Sequence, residues 1–210
     1  MIRGGKYFLL GAVEEGPRAM EDLGYTMEKI ILKATSLGLG TCWLAGTFKR
    51  SAFAEKMGLA ENELLPAVAP VGYAAVKKST LDKMMRMSAA SRKRKPWTEL
   101  FFKEDSKTPL TEKEAGEFNQ VLEAVRIGPS ASNRQPWRII REGIEKYHLY
   151  LEENKIYNRM MGKIRIQNID MGIAMCHFEL AARELGLPGS WRVGLQDPGK
   201  SSMQYLASWY

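Results

Sequence analysis

Two apolar stripes at helical spacing dominate the hydrophobic pattern of this chain. Met20, Leu23, Met27, Ile30, Ile31 and Ala34 recur at three- and four-residue intervals, which predicts a long amphipathic helix over 19–37. Gly38 and Gly40 stop it. A second long helix is predicted over 169–185, stopped by Gly186 and Pro188. Phe118, Val121, Leu122 and Val125 mark a third helix, and Thr111 with Glu114 makes a capping-box pattern just ahead of it. Apolar runs at 6–13, 65–73 and 147–151 read as strands, as does the start at Trp137. The aromatic tail 202–210 reads as an edge strand, and 51–57 as a short helix ending at Gly58. Residues 103–111 are charged, contain Pro109 and read as a linker. Helices flanking mixed strands predict an α+β sandwich.

The two long helices also repeat one another. Asp22 to Trp43 aligns without gaps on Asp170 to Trp191, with nine identities in twenty-two columns. Asp22/Asp170, Gly24/Gly172, Met27/Met175 and Trp43/Trp191 are among them, and Leu37-Gly38-Leu39 matches Leu185-Gly186-Leu187. Chance likeness between amphipathic helices would not also place Leu-Gly-Leu and a Trp at the same distance from the helix end. The chain therefore reads as internally duplicated, with halves at 1–102 and 112–210 joined by 103–111.

Composition narrows the class only a little. The 210 residues are 45% apolar and 26% charged, as in ordinary folded proteins. No apolar run reaches the length of a membrane span. The run at 7–13 follows Arg3 and Lys6, but Glu14 and Glu15 come at once, which suits a strand better than a leader. Cys42 and Cys176 fit no metal or redox spacing, so a reducing cytoplasm is the simplest setting. The net charge of +7 is concentrated between Lys77 and Lys95, where only Asp82 opposes the cations. One such patch suits a phosphate or an anionic dinucleotide better than a long polyanion, and no nucleic-acid or membrane-binding motif accompanies it. No catalytic triad, paired-carboxylate pattern or metal-ligand cluster stands out, and His148 and His177 read as structural.

The chemistry concentrates at 128–137, Gly-Pro-Ser-Ala-Ser-Asn-Arg-Gln-Pro-Trp, between a helix and a strand. Small residues let a flat ligand approach the backbone, while Ser and Asn offer short hydrogen bonds; a polar Pro-rich turn explains the same spacing. This string resembles the PSAxNxQPW segment of the FMN-dependent nitroreductase family. Residues 37–46, Leu-Gly-Leu-Gly-Thr-Cys-Trp-Leu-Ala-Gly, look like that family's GLGTCW segment under the flavin ring. Arg92-Lys93-Arg94-Lys95-Pro96 is similar to its phosphate-holding basic stretch. The order is inverted relative to ordinary members, so the chain resembles the single-chain branch, the TM nitroreductases, in which two degenerate halves form an internal pseudo-dimer.

The resemblance implies a mostly antiparallel sheet between helical layers, duplicated, and a monomer. It implies FMN held by Pro129, Ser130, Ala131 and Asn133 from the second half. The backbone of Trp43, Leu44, Ala45 and Gly46 would approach the ring from the first half, with the Ala45 amide near the flavin N5. Arg92 and Arg94 would pair with the phosphate. The flavin would carry the hydride chemistry, so no side chain is assigned a catalytic role and no metal is expected. One departure stands out. Family members open with a helix carrying an RRSxR-like segment, whereas this chain opens at the strand 6–13, and Pro188-Gly189-Ser190 replaces Gly-Thr-Cys in the second half. A weakened phosphate site and at most one flavin site are therefore expected. The implied function is an FMN oxidoreductase passing hydride from NAD(P)H to a nitroaromatic, quinone or similar acceptor. The alternative is a catalytically inactive flavin-fold or ligand-binding protein that has lost tight FMN binding; a nucleic-acid-binding module fits the motifs less well.

Overall fold

The computed structural model describes residues 5–73, 93–155 and 162–210. Two sheets are present among the described residues. In the smaller, β1 (Tyr7–Glu14) and the two-residue β2 (Gly40–Thr41) both pair antiparallel with β3 (Glu63–Gly72). The larger has five strands: β4 (Phe101–Lys103), β5 (Trp137–Glu142), β6 (Lys146–Leu151), β7 (Trp191–Val193) and β8 (Gln204–Trp209). Their order is β4-β5-β6-β8-β7, with β4 parallel to β5 and every other pair antiparallel. The fold is thus mixed α+β, with largely antiparallel sheets and helices against them.

Helix α1 (Ala19–Ser36) follows β1, and the short α2 (Arg50–Met57) precedes β3. Glu21 and Asp22 in the first turn of α1 and Lys33 in its last complement the helix dipole. A one-turn α3 (Trp97–Leu100) leads into β4. The predicted capping box opens α4 (Glu112–Ala115): Thr111 Oγ1 accepts from the Glu114 amide at 3.2 Å, and the Glu114 carboxylate accepts from the Thr111 amide at 3.0 Å. Helix α5 (Asn119–Ile127) buries Val121, Leu122 and Val125 as its spacing requires. Helix α6 (Ile166–Glu184) begins three residues before its predicted start.

The tail is not an edge strand. β8 lies between β6 and β7 with Ala207, Ser208 and Trp209 buried, and the edge belongs to β7, too short to announce itself in the sequence. Segment 103–111 is a compact turn. The Asp105 carboxylate accepts from the amides of Lys107 and Thr108, and Leu110 is buried beneath it.

Helices α1 and α6 lie side by side at the centre, joined by polar contacts. Glu21 meets Asn168, Tyr25 meets Glu179, and Glu28 meets His177. Two glycines allow the approach. A Cβ on Gly24 would stand 2.1 Å from the Ile169 carbonyl oxygen, and one on Gly172 would stand 1.9 Å from that of Glu21. No side chain fits there without moving a backbone. Met20, Leu23, Met27 and Ile31 of α1 then form one buried cluster with Ile166, Ile169 and Ile173 of α6.

Candidate functional site

The segment 128–137 leaves α5 through an extended Gly128 and makes a strained turn. Ser132, Asn133 and Gln135 have positive φ values of 50°, 53° and 49°. For side-chain-bearing residues such backbone costs on the order of 1–2 kcal/mol each, so something must hold it. Five hydrogen bonds do. Ser130 Oγ accepts from the Gln135 amide at 2.9 Å, and Gln135 Nε2 donates to the Asn133 carbonyl at 3.0 Å. Gln135 Oε1 accepts from the Lys95 amide at 2.8 Å, and Asn133 Nδ2 donates to the Lys93 carbonyl at 2.6 Å. Asp170 of α6 accepts the Ala131 N–H at 2.8 Å. Asn133 therefore does what a turn residue does, and its side chain also joins the basic stretch.

Residues 43–46 are fixed from the other side. Leu44 exchanges two backbone hydrogen bonds with Val68 of β3, both 2.9 Å. Arg50 donates to the Ala45 carbonyl at 2.8 Å and to the Leu65 carbonyl at 2.8 Å, tying the loop to α2 and β3. Trp43 Nε1 donates to Glu28 at 2.7 Å. Gly46 is exposed, and a Cβ there would meet nothing within 4 Å, so open space adjoins the loop.

The two segments, far apart in sequence, pack against one buried cluster. Trp43, Ala45 and Ala131 all pack on the buried cluster formed by α1 and α6. Pro129, Ser130, Ala131 and Asn133 are half-buried, as are Trp43, Leu44 and Ala45. Arg94 lies beside the turn, with Nη1 donating to Asn133 Oδ1 at 3.0 Å and Nη2 to the Ile127 carbonyl at 2.9 Å. Burial, and then the neighbouring Arg126, lower its pKa from the usual arginine value. Most of its donors point at protein oxygens. Arg92 lies outside the described residues.

Three residues that sequence reasoning left without a site role belong to this arrangement. Asp170 was visible only as the repeat partner of Asp22. It is fully buried, its Oδ2 has no hydrogen-bond partner among the described residues, and burial pushes its carboxyl up to about 8. Glu28 is 2% exposed and links Trp43 to His177, whose Nε2 stands 2.9 Å away. No spacing rule marks such a long-range bridge.

A cavity of about 460 Å³ opens elsewhere, where α1 and α6 begin; Arg18, Glu21, Arg165, Asn168 and Tyr205 line it, and it includes none of the motif residues. Among the described residues there is no group of three metal-ligating side chains, and no helix is long and apolar enough to cross a membrane.

Residues 1–182 match the family model described as "Putative TM nitroreductase". A crystal structure from Thermotoga maritima, titled a putative nitroreductase, is similar over 96% of this chain and 68% of its own, with 22% identity and a TM-score of 0.60. That likeness concerns the fold. No curated protein matches the chain.

Proposed function

The chain belongs to the family described as Putative TM nitroreductase, and from that premise we propose that it is an FMN-dependent oxidoreductase passing hydride from NAD(P)H to a nitroaromatic, quinone or similar small acceptor. One observation carries the reading. Residues of both motif segments, Trp43 and Ala45 of one and Ala131 of the other, pack against the same buried cluster, with open space at Gly46 and the Arg94 cation at Asn133. A flat ring needs small residues at its faces and hydrogen-bonding groups at its edge, and these segments supply both. The donor set fits FMN in that respect.

In this reading Trp43, Leu44, Ala45 and Gly46 hold the ring from one side. Pro129, Ser130, Ala131 and Asn133 hold it from the other, and Arg94 supplies charge for the phosphate. The flavin, when bound, supplies the hydride chemistry. The protein's share is to bind and orient. The strained turn is fixed by Asp170 and Gln135 and the facing loop by Arg50 and Val68, so neither segment has to be ordered by the ligand. The other reading, an inactive flavin-fold protein with weak FMN binding, is favoured by one fact: Arg94 already donates to Ile127 and Asn133. Titration of the purified protein with FMN, followed by flavin fluorescence, separates the two. Saturable quenching supports the oxidoreductase reading, and no binding at excess FMN removes it.

Arg94→Ala tests the phosphate assignment. Loss of a charge-assisted contact should weaken FMN binding about tenfold or more. The variant should also melt lower without flavin, because the Ile127 and Asn133 contacts go with it. A lower melting temperature with unchanged FMN affinity would assign Arg94 to the turn alone.

We also read the chain as an internal pseudo-dimer. The register that aligns Gly24 with Gly172 aligns Glu21 with Ile169, so the contacts Gly24–Ile169 and Gly172–Glu21 are each other's image. Reciprocal contacts of this kind are what a two-fold interface produces. If the interface is satisfied within one chain, light scattering should give a monomer near 23.7 kDa; a tight dimer would count against it.

A further inference from the structure

Glu28 is a carboxylate in an apolar setting, 2% exposed on α1 among the residues that build the helix interface. A charge so placed costs several kcal/mol unless it is well hydrogen-bonded. Its two oxygens have different partners. Oε2 accepts from Trp43 Nε1 at 2.7 Å, and Oε1 faces His177 Nε2 at 2.9 Å. Trp43 opens the loop 43–46. His177 belongs to α6, and its ring lies against Gly128, where a Cβ would stand 3.6 Å from His177 Cδ2. Gly128 in turn opens the segment 128–137. A single side chain thus reaches the beginning of both segments.

We propose that Glu28 is a positioning residue that clamps the two site segments in register, holding the Trp43 indole directly and the Gly128 end of the facing turn through His177. The inference rests on the flavin reading above, since the segments it aligns are those assigned to the ring. The Val68 and Arg50 hydrogen bonds hold the loop to β3 and α2 but do not reach the facing turn, and apolar packing of Ala45 and Ala131 on the shared cluster is non-directional. The Glu28 carboxylate, with one partner on each side, adds a directional link between them. The chemistry also fixes a proton. Indole N–H is only a donor and takes one carboxylate oxygen, so the proposed bridge, with Glu28 as acceptor on both sides, has the His177 hydrogen on Nε2. The adjacent Cys176 thiol is pushed up to about 12 by burial and next by Glu28, so it stays protonated beside the bridge.

Two variants test the clamp. Glu28→Gln preserves shape, yet an amide cannot accept from both neighbours. With its oxygen on Trp43, its NH₂ faces His177, and Nε2 must give up its hydrogen. ¹H–¹⁵N correlation spectra of the flavin-free protein should show Nε2 protonated in the wild type and bare in Glu28→Gln. Unchanged His177 and Trp43 indole signals would overturn the clamp, because a residue that merely fills space would leave them alone. In FMN titrations Glu28→Ala should lose about tenfold or more in affinity, and Glu28→Gln should recover most of it. Equal affinity in wild type and Glu28→Ala would overturn the positioning role. If the wild type binds no FMN, the flavin reading fails, and the imidazole spectra still decide whether Glu28 sets the bridge.

Discussion

Gly172→Ala should destabilise the protein by about 3 kcal/mol or more, although alanine is the better helix former. Two effects of opposite sign compete at this position. In an exposed helix the change gains about 1 kcal/mol from propensity. Here the new Cβ would lie 1.9 Å from the Glu21 carbonyl oxygen and 2.7 Å from the Tyr25 amide nitrogen, both backbone atoms of α1. Neither can turn aside as a side chain would, so the two helices must separate. Separation loosens the cluster of Met20, Leu23, Met27, Ile169 and Ile173 and forfeits dispersion contacts along its length. For a chain of this size the loss corresponds to a fall of roughly 6–12 °C in melting temperature. Gly16→Ala is the control, since a Cβ there meets nothing within 4 Å, and it should shift stability by no more than about 0.5 kcal/mol. Gly24→Ala should resemble Gly172→Ala. The double variant should lose less than the sum, because both open the same contact. A Gly172→Ala protein as stable as the wild type would show that the helices do not meet there.

That crossing also marks what a sequence can and cannot announce. Gly24 and Gly172 were legible as an aligned pair, because repeated residues at equal spacing need no three-dimensional knowledge. Both long helices, the capping box at Thr111 and Glu114, and the strands at 147–151 and from Trp137 follow from periodicity and local hydrogen bonding, and they stand where expected. Strands of two or three residues carry too little pattern to be seen. β2, β4 and β7 were missed for that reason, and β8 was consequently taken for an edge. The site divides along the same line. The two motif segments were recognisable as strings, while their supports were not. Asp170 reaches Ala131 across thirty-nine residues, and Glu28 reaches His177 across 149. Arg94 was legible as a cation, but that its donors turn to Ile127 and Asn133 depends on how the chain closes upon itself. Local chemistry is written locally; the partners of buried polar groups are not.

Asp170→Asn should remove a pH dependence of stability that the wild type shows between about pH 4 and pH 8. Asp170 is fully buried, and burial outweighs the Ala131 hydrogen bond, so its carboxyl rises from the ordinary 3.8 to about 8. The folded protein therefore keeps a proton in this interval that the unfolded chain releases. Stability contributed by this group is fully present below pH 4, falls as pH rises at roughly 1.4 kcal/mol per unit, and levels off above pH 8. Other groups act elsewhere or in the opposite sense. Glu114 and Glu142 are held near 2 by lysine and hydroxyl or imidazole partners, so they remove stability only as pH falls below the ordinary carboxylate range. Buried His148 is lowered by desolvation, so its contribution falls as pH drops below 6.5. Subtracting the variant's profile from the wild type's isolates Asp170. Asparagine keeps an oxygen for the Ala131 amide and cannot ionise, so the turn should survive and the difference should grow steadily with pH. Above pH 7 the variant should be the more stable protein by urea denaturation. Parallel profiles would mean that Asp170 is not shut away from water. The cost is borne at a residue that ties α6 to a turn with three strained φ angles. Removing its acceptor with Asp170→Ala should therefore release the turn, and FMN affinity should fall where Asp170→Asn leaves it close to that of the wild type.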